Sequence, residues 1–271
     1  MKFVDQQVEL ITQDPGLDGV FKSIETAART CYASESSSTT EEEFVKKLIS
    51  SKHLTPLEFG TVYLFIPGDP SAEDMPDVVK KYYKNPYSKV NIVLDKGTSH
   101  INYYITTNYR VLIENHYLSD LVYLSGPTEF HYKRVTFRVT TSEGVARELN
   151  RYRKLSICQR STRYCNYTKK FGEIEFIQPY WWKTLNPTSQ SYIKYLLEDI
   201  EWAYKDGISE QKLQPQMIRD ILPLCTKTVV MYCGFTSDWD HVMAQRHFEL
   251  TGKAHPACKE IADLMYKYLN L

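Results

Sequence analysis

No apolar run in this chain approaches the roughly 18 residues a membrane span needs, and Met1-Lys2-Phe3-Val4-Asp5-Gln6 lacks the apolar centre of a secretory signal. Those two absences give the expectation of a cytoplasmic protein. Net charge is also absent, with 33 basic side chains against 33 acidic ones. Without a positive excess the chain is no generic binder of nucleic acid or anionic membranes, and any charge-driven function must be local. The six cysteines, Cys31, Cys158, Cys165, Cys225, Cys233 and Cys258, form no CxxC pair and are too sparse for a disulfide scaffold, so reduced thiols are expected. Neither GxGxxG nor GxxxxGK(S/T) occurs, which removes the Rossmann and P-loop routes to a nucleotide. There is no internal repeat, low-complexity tail or Gly/Ser linker. The expected organisation is a single domain over 1–271 with an insertion at about 65–130.

What is present is a chain 42% hydrophobic and 24% charged, long enough at 271 residues to bury a large core. Its 21 tyrosines suit half-buried surfaces, either of an oligomer or of a binder of flat rings. Phe3 to Ile11 alternates as a strand does, and Leu17 to Tyr32 carries Val20, Ile24, Ala27 and Ala28 at helical spacing. Thr40 followed by Glu43 is a capping box for a helix ending near Ser51, whose Glu41-Glu42-Glu43 run suits a first turn. Thr61 to Ile66 and Arg134 to Thr140 read as strands, and the insertion between them should have its own order, including a helix over Asn108 to Tyr123. Further helices are expected at Glu143 to Arg153, at Gln216 to Ile221 and from Pro256, with another capped by Ser237. A long helix over Ser189 to Lys205 should turn Tyr192, Leu196, Ile200 and Ala203 inward and stop at Gly207, and Thr226 to Tyr232 should be a strand. The irregular alternation predicts a mixed α/β (α+β) fold rather than a doubly wound sheet.

Chemistry concentrates between Arg147 and Lys170. Arg147, Arg151, Arg153, Lys154, Arg160, Arg163, Lys169 and Lys170 face one acid, Glu148, in that stretch. Guanidinium forks grip phosphates bidentately and stack on planar rings, so the cluster suits nucleotides; the alternative is a solvated basic face. A zinc site from His241, His247, His255 and Cys258 matches no common spacing. Tyr180-Trp181-Trp182 reads as core or interface rather than a stacking platform.

The order of residues adds more. Arg151-Tyr152-Arg153, seven residues, then Ser161 and Arg163-Tyr164 resembles the Arg-His-Arg signature of the flavin-dependent thymidylate synthases. Four other segments resemble that family in the same order: Ala27-Ala28-Arg29-Thr30-Cys31, His53-Leu54-Thr55-Pro56-Leu57-Glu58, Arg219 to Leu224, and Trp239 to Ile261 with Arg246. The resemblance implies an enzyme of that family's fold that methylates dUMP at C5 to dTMP. FAD is the implied cofactor, with NADPH and methylene-tetrahydrofolate as co-substrates, in a homotetramer whose active sites are shared between subunits. It implies that Glu148, Arg151, Gln159, Arg160, Ser161, Arg163, Tyr164, Arg219 and Arg246 bind the nucleotide. His53, Thr55, Arg151, Tyr152, Arg153, Gln159, Ser237 and His241 would surround the flavin. Arg246 is the implied catalytic residue, a fixed cation beside the uracil that stabilises developing negative charge. Cys225 needs no nucleophilic role and reads as a strand cysteine. Three positions depart from the pattern: Tyr152 for the central histidine, Gln159 for a glutamate, and Glu148 for a glutamine. Two alternatives stay open, a diverged member acting on another pyrimidine or one-carbon donor, and a non-enzymatic single-strand nucleic-acid binder.

Overall fold

The computed structural model describes residues 1–34, 39–69, 74–95, 97, 100–167 and 172–269. Lys169 and Lys170 of the basic stretch lie outside them. Strands β1 (Lys2–Val4) and β2 (Gln7–Ile11) replace the single strand expected over Phe3 to Ile11. They enter different sheets because Gln6 between them is buried, its Nε2 donating to Ala257 O at 3.0 Å and to Glu260 Oε2 at 2.7 Å.

The central sheet has the order β2-β6-β9-β7 and is antiparallel, with β6 at Arg134–Ser142, β7 at Ser156–Gln159 and β9 at Lys227–Phe235. The alternation of β6 is carried through: Val135, Phe137, Val139 and Thr141 are all buried. β9 is an inner strand covered on both faces and reads as a continuous buried run. On one face Val135, Phe137, Val139, Val230 and Tyr232 pack against α5 (Glu143–Leu149), α8 (Thr236–Arg246) and α9 (Pro256–Leu269). On the other, Met231, Cys233 and Cys158 meet Ala27 of α1 (Gly16–Tyr32) and Phe59.

The insertion does have its own order. β3 (Thr61–Ile66), β4 (Lys89–Leu94) and β5 (Ile101–Asn108) form a second antiparallel sheet in the order β3-β5-β4, beside α3 (Asp77–Tyr83). Its core includes Val62, Leu64 and Ile105 with Val20, Phe21 and Ile24 of α1 and Val45 and Leu48 of α2 (Glu41–Ser50). The capping box of α2 forms, Thr40 and Glu43 exchanging bonds of 3.3 Å. Thus α1 is shared between the two sheets. The single helix expected over Asn108 to Tyr123 is instead the end of β5, the short α4 (Tyr109–Glu114) capped by the Asn108 side chain, and a 3-10 turn at Leu118–Tyr123. His116 between them takes a left-handed φ of 59°, which a continuous helix cannot contain.

A third core lies under α6 (Pro187–Ser209); of the residues expected to face it, Ile200 packs against it, but Tyr192 and Leu196 do not. Tyr192 is 63% exposed and Leu196 40%, whereas Leu197, Glu201, Tyr204 and Gly207 are buried. The apolar pattern misled because the inner stripe contains an acid: Glu201 binds the Met1 amino group at 2.6 Å, Lys205 at 2.9 Å and the Ile174 N–H at 3.0 Å. Nor does Gly207 stop the helix. It lets Ile218 of α7 (Pro215–Ile218) approach so closely that a Cβ would sit 2.8 Å from Ile218 Cδ1. β8 (Glu175–Ile177) pairs with β1 in parallel. Among the described residues no helix is long and apolar enough to cross a membrane.

Candidate active site

α5 ends at Leu149 rather than continuing to Arg153, so the Arg-Tyr-Arg motif is a turn leading into β7. Tyr152 points inward, 9% exposed and packed in the core, while Arg151, Arg153 and Lys154 are exposed. Among the described residues none of those three cations holds an ion pair. The basic stretch is therefore not one patch but a set of differently aimed groups.

One set gathers at the C-terminal end of α1. The Ser161 N–H donates to Cys31 O at 2.8 Å, tying the motif loop to the Ala27 to Cys31 segment. Ser161 Oγ accepts from the Arg163 N–H at 3.2 Å, and the Tyr164 ring lies 6.2 Å from that of Tyr32. Tyr32 in turn hydrogen-bonds His53 Nδ1 at 3.1 Å, which brings the His53 to Glu58 turn, with Thr55 exposed at its start, to the same place. Arg219 Nη1 donates to Thr162 Oγ1 at 3.3 Å, and Arg163 Nη2 reaches Gln216 Oε1 at 3.5 Å. A pocket of about 270 Å³ opens beside Thr162 and Arg219, lined also by Glu143, Arg147, Asp220 and the Leu222 to Leu224 segment. Arg160 extends the β7–β9 pairing through its N–H to Val229 O at 2.9 Å. Gln159 joins a polar network: its Nε2 donates to Glu143 Oε2 at 2.9 Å, and its Oε1 accepts from Asn150 Nδ2 at 2.8 Å. Burial pushes the Glu143 carboxyl above the ordinary carboxylate range, against the pull of Thr228, Gln159, Arg147 and Arg219.

A second set lies at the other end of α5. Arg246, the last residue of α8, is bridged to Glu148 with Nη1 3.2 Å from Oε2, and its Nε donates to the Tyr152 hydroxyl oxygen at 3.0 Å. That hydroxyl donates to Gln245 Oε1 at 3.0 Å, and the His241 ring stands edge-on to Tyr152 at 5.8 Å. Burial works against the Arg246 charge, yet Tyr152 and Glu148 keep its pKa raised. Burial, then Glu148, pushes the Cys258 thiol up to about 12.

The four imagined zinc ligands part company: His247 pairs with Asp263 at 2.6 Å and stacks on Tyr266, and His241 belongs to Tyr152. His255 and Cys258 do bring ligand atoms within 4.8 Å of Glu148, but that carboxylate is already taken by Arg246. Trp182 is buried, while Tyr180 and Trp181 line a pocket of about 320 Å³ beside Glu148 and His255.

Ser237 does not cap α8; Asp238 does, its Oδ2 accepting from the Phe235 N–H at 3.0 Å. Ser237 Oγ instead accepts from Lys89 Nζ of the inserted sheet at 2.5 Å. Cys225 is not in a strand but in the turn before β9. A larger cavity of about 590 Å³, between β2, β3 and β6 and floored by Phe59 and Met231, holds none of the residues expected at the site. The sequence reading missed Glu143, Thr162 and Gln245. Arg147, already part of the basic stretch in the sequence, lines the same pocket as Thr162 and Arg219.

The description "thymidylate synthase complementing protein" belongs to a family model that matches residues 82–271. The match runs through much of the insertion and leaves the segments at Ala27 to Cys31 and His53 to Glu58 outside it. No curated protein matches the chain. With well over half of its length matched, and the Arg151 to Arg163 motif, Arg219 and Arg246 inside that span, the chain belongs to the thymidylate synthase complementing protein family, that of the flavin-dependent thymidylate synthases, and its activity is of the thymidylate synthase type.

Proposed function

We propose that the protein methylates dUMP at C5 to dTMP with methylene-tetrahydrofolate as one-carbon donor, NADPH as reductant and FAD as cofactor. One observation carries the reading: Thr162 and Arg219, 57 positions apart, line one pocket together with Arg147, and Thr162 belongs to the loop that carries Ser161 and Arg163. Hydroxyls, backbone N–H groups and guanidinium donors together satisfy a phosphate monoester. Arg246 would serve as the cation beside the uracil, stabilising charge that develops as C5 attacks.

The residues present suit a flavin dinucleotide. Arg151 and Arg153 are exposed and free of acidic partners among the described residues, as a diphosphate requires, and His53 and Thr55 lie on an exposed turn. When bound, FAD supplies the redox chemistry, and the chain supplies binding and orientation. A homotetramer with shared sites is part of the proposal. It is supported by Tyr192, Tyr195, Leu196 and Trp202 of α6, which form an outward apolar row 63, 60, 40 and 68% exposed.

The test is release of label from C5-tritiated dUMP by the purified yellow protein with NADPH and the folate. No release under any reductant overturns the enzyme reading, and a colourless protein with salt-sensitive affinity for oligonucleotides replaces it with the single-strand binder.

A further inference from the structure

We infer that Tyr152 is a positioning residue for Arg246, its hydroxyl and the Glu148 carboxylate together fixing the guanidinium while leaving Nη2, which no described residue binds, to a ligand. The inference rests on the proposed role of Arg246. Its basis is a closed set of contacts. Tyr152 accepts from Arg246 Nε and donates to Gln245 Oε1, each at 3.0 Å, so the hydroxyl rotor has one direction and its lone pair faces the arginine. Glu148 takes Nη1 at 3.2 Å on the other side. The Tyr152 ring is itself immobilised by the core and by the edge-on His241 ring. A hydrogen bond at Nε and an ion pair at Nη1 act on different nitrogens of one planar group, which constrains its plane as well as its place more than a single ion pair does.

The residue type matters because of what surrounds it. Glu148 approaches from α5, His241, Gln245 and Arg246 belong to α8, and His255 and Cys258 approach Glu148 from the start of α9. A phenol oxygen remains an acceptor at every pH at which the enzyme works. An imidazole there would, once protonated on acidification, lose its acceptor nitrogen and become a second cation beside Arg246, though burial and that cation would hold its protonation below the ordinary imidazole range. Tyrosine at this position therefore makes the orientation of Arg246 independent of mild acidification.

The experiment compares kcat and KM for dUMP from pH 5.5 to 8.5 in the holoenzyme and in Tyr152→Phe, Tyr152→His and Arg246→Ala. Tyr152→Phe keeps the ring and removes the acceptor, so kcat should fall about 10- to 100-fold while the KM for dUMP moves less than about threefold. Tyr152→His should recover part of kcat at pH 8 and lose it again on acidification, with a limb below the ordinary imidazole range that the parent lacks. Should Tyr152→Phe not fold, Gln245→Leu frees the hydroxyl without touching Tyr152 or Arg246 and should lower kcat in the same sense. An inactive Arg246→Ala with a fully active Tyr152→Phe, or a Tyr152→His profile that parallels the parent, overturns the positioning role alone. An active Arg246→Ala removes the reading beneath it.

Discussion

The Gln159 carboxamide donates to the Glu143 carboxylate at 2.9 Å, joining the end of β7 to the first residue of α5 beneath the pocket that holds Arg219. The negative charge missing at position 159 is thus present next door. Glu143 Oε1 is buried without a hydrogen-bond partner, so the carboxylate is held at some cost.

A second carboxylate at 159 would face the first directly. Gln159→Glu should lose about 2 kcal/mol of stability at pH 8 and lower Tm by about 5 °C. The parent already carries the same sign. Burial raises the Glu143 pKa, so its stabilising share is complete at low pH and is lost as pH climbs from the ordinary carboxylate range through the folded value. Glu143→Gln should flatten that slope in a Tm-against-pH series, and an unchanged slope would show that the titrating group lies elsewhere.

Arg219 reaches the pocket from a distant part of the chain, and among the described residues it bonds only Thr162 and, at 3.7 Å, the neighbouring Asp220. Arg219→Ala should raise the dUMP Kd about 10- to 100-fold by calorimetry, and Arg219→Lys should recover only part, since an ammonium has no fork. Equal affinities in all three proteins would take Arg219 out of the phosphate site.

Gly207 supports that site from behind, because Ile218, against which it packs, immediately precedes Arg219. Gly207→Ala gains helix propensity but crowds Ile218, and the net should be a loss of about 1 kcal/mol in urea unfolding with weakened dUMP binding. Adding Ile218→Val should restore part of both; additivity of the two changes would sink the contact argument.

The Cys225 thiol is half-buried, and burial raises its pKa. A thiol held protonated is a poor nucleophile, so Cys225→Ser should keep kcat within about twofold. A loss of several orders of magnitude would point to covalent chemistry instead.

Where sequence signals are local, the fold was legible: the capping box at Thr40 and Glu43 and the alternation of Val135, Phe137 and Val139 need only their own neighbours. Errors arose where tertiary contacts redefine a face. Glu201 is buried because three donors meet it, and Asn108 ends a strand and caps a helix at once. Order along the chain located the phosphate-binding candidates because Ser161 and Arg163 share one loop. The link from Tyr152 to Arg246 spans 94 positions and the link from Gln159 to Glu143 joins two elements, so no spacing rule reveals either.

Because α1 lends Val20, Phe21 and Ile24 to the inserted sheet and Ala27 to the central one, the stretch between β3 and β6 is no detachable ornament. Cutting it out to make a shorter catalyst would strip a helix whose last turn seats Ser161, and would free Ser237 from Lys89. Miniaturisation would have to begin by redesigning the outward side of that helix.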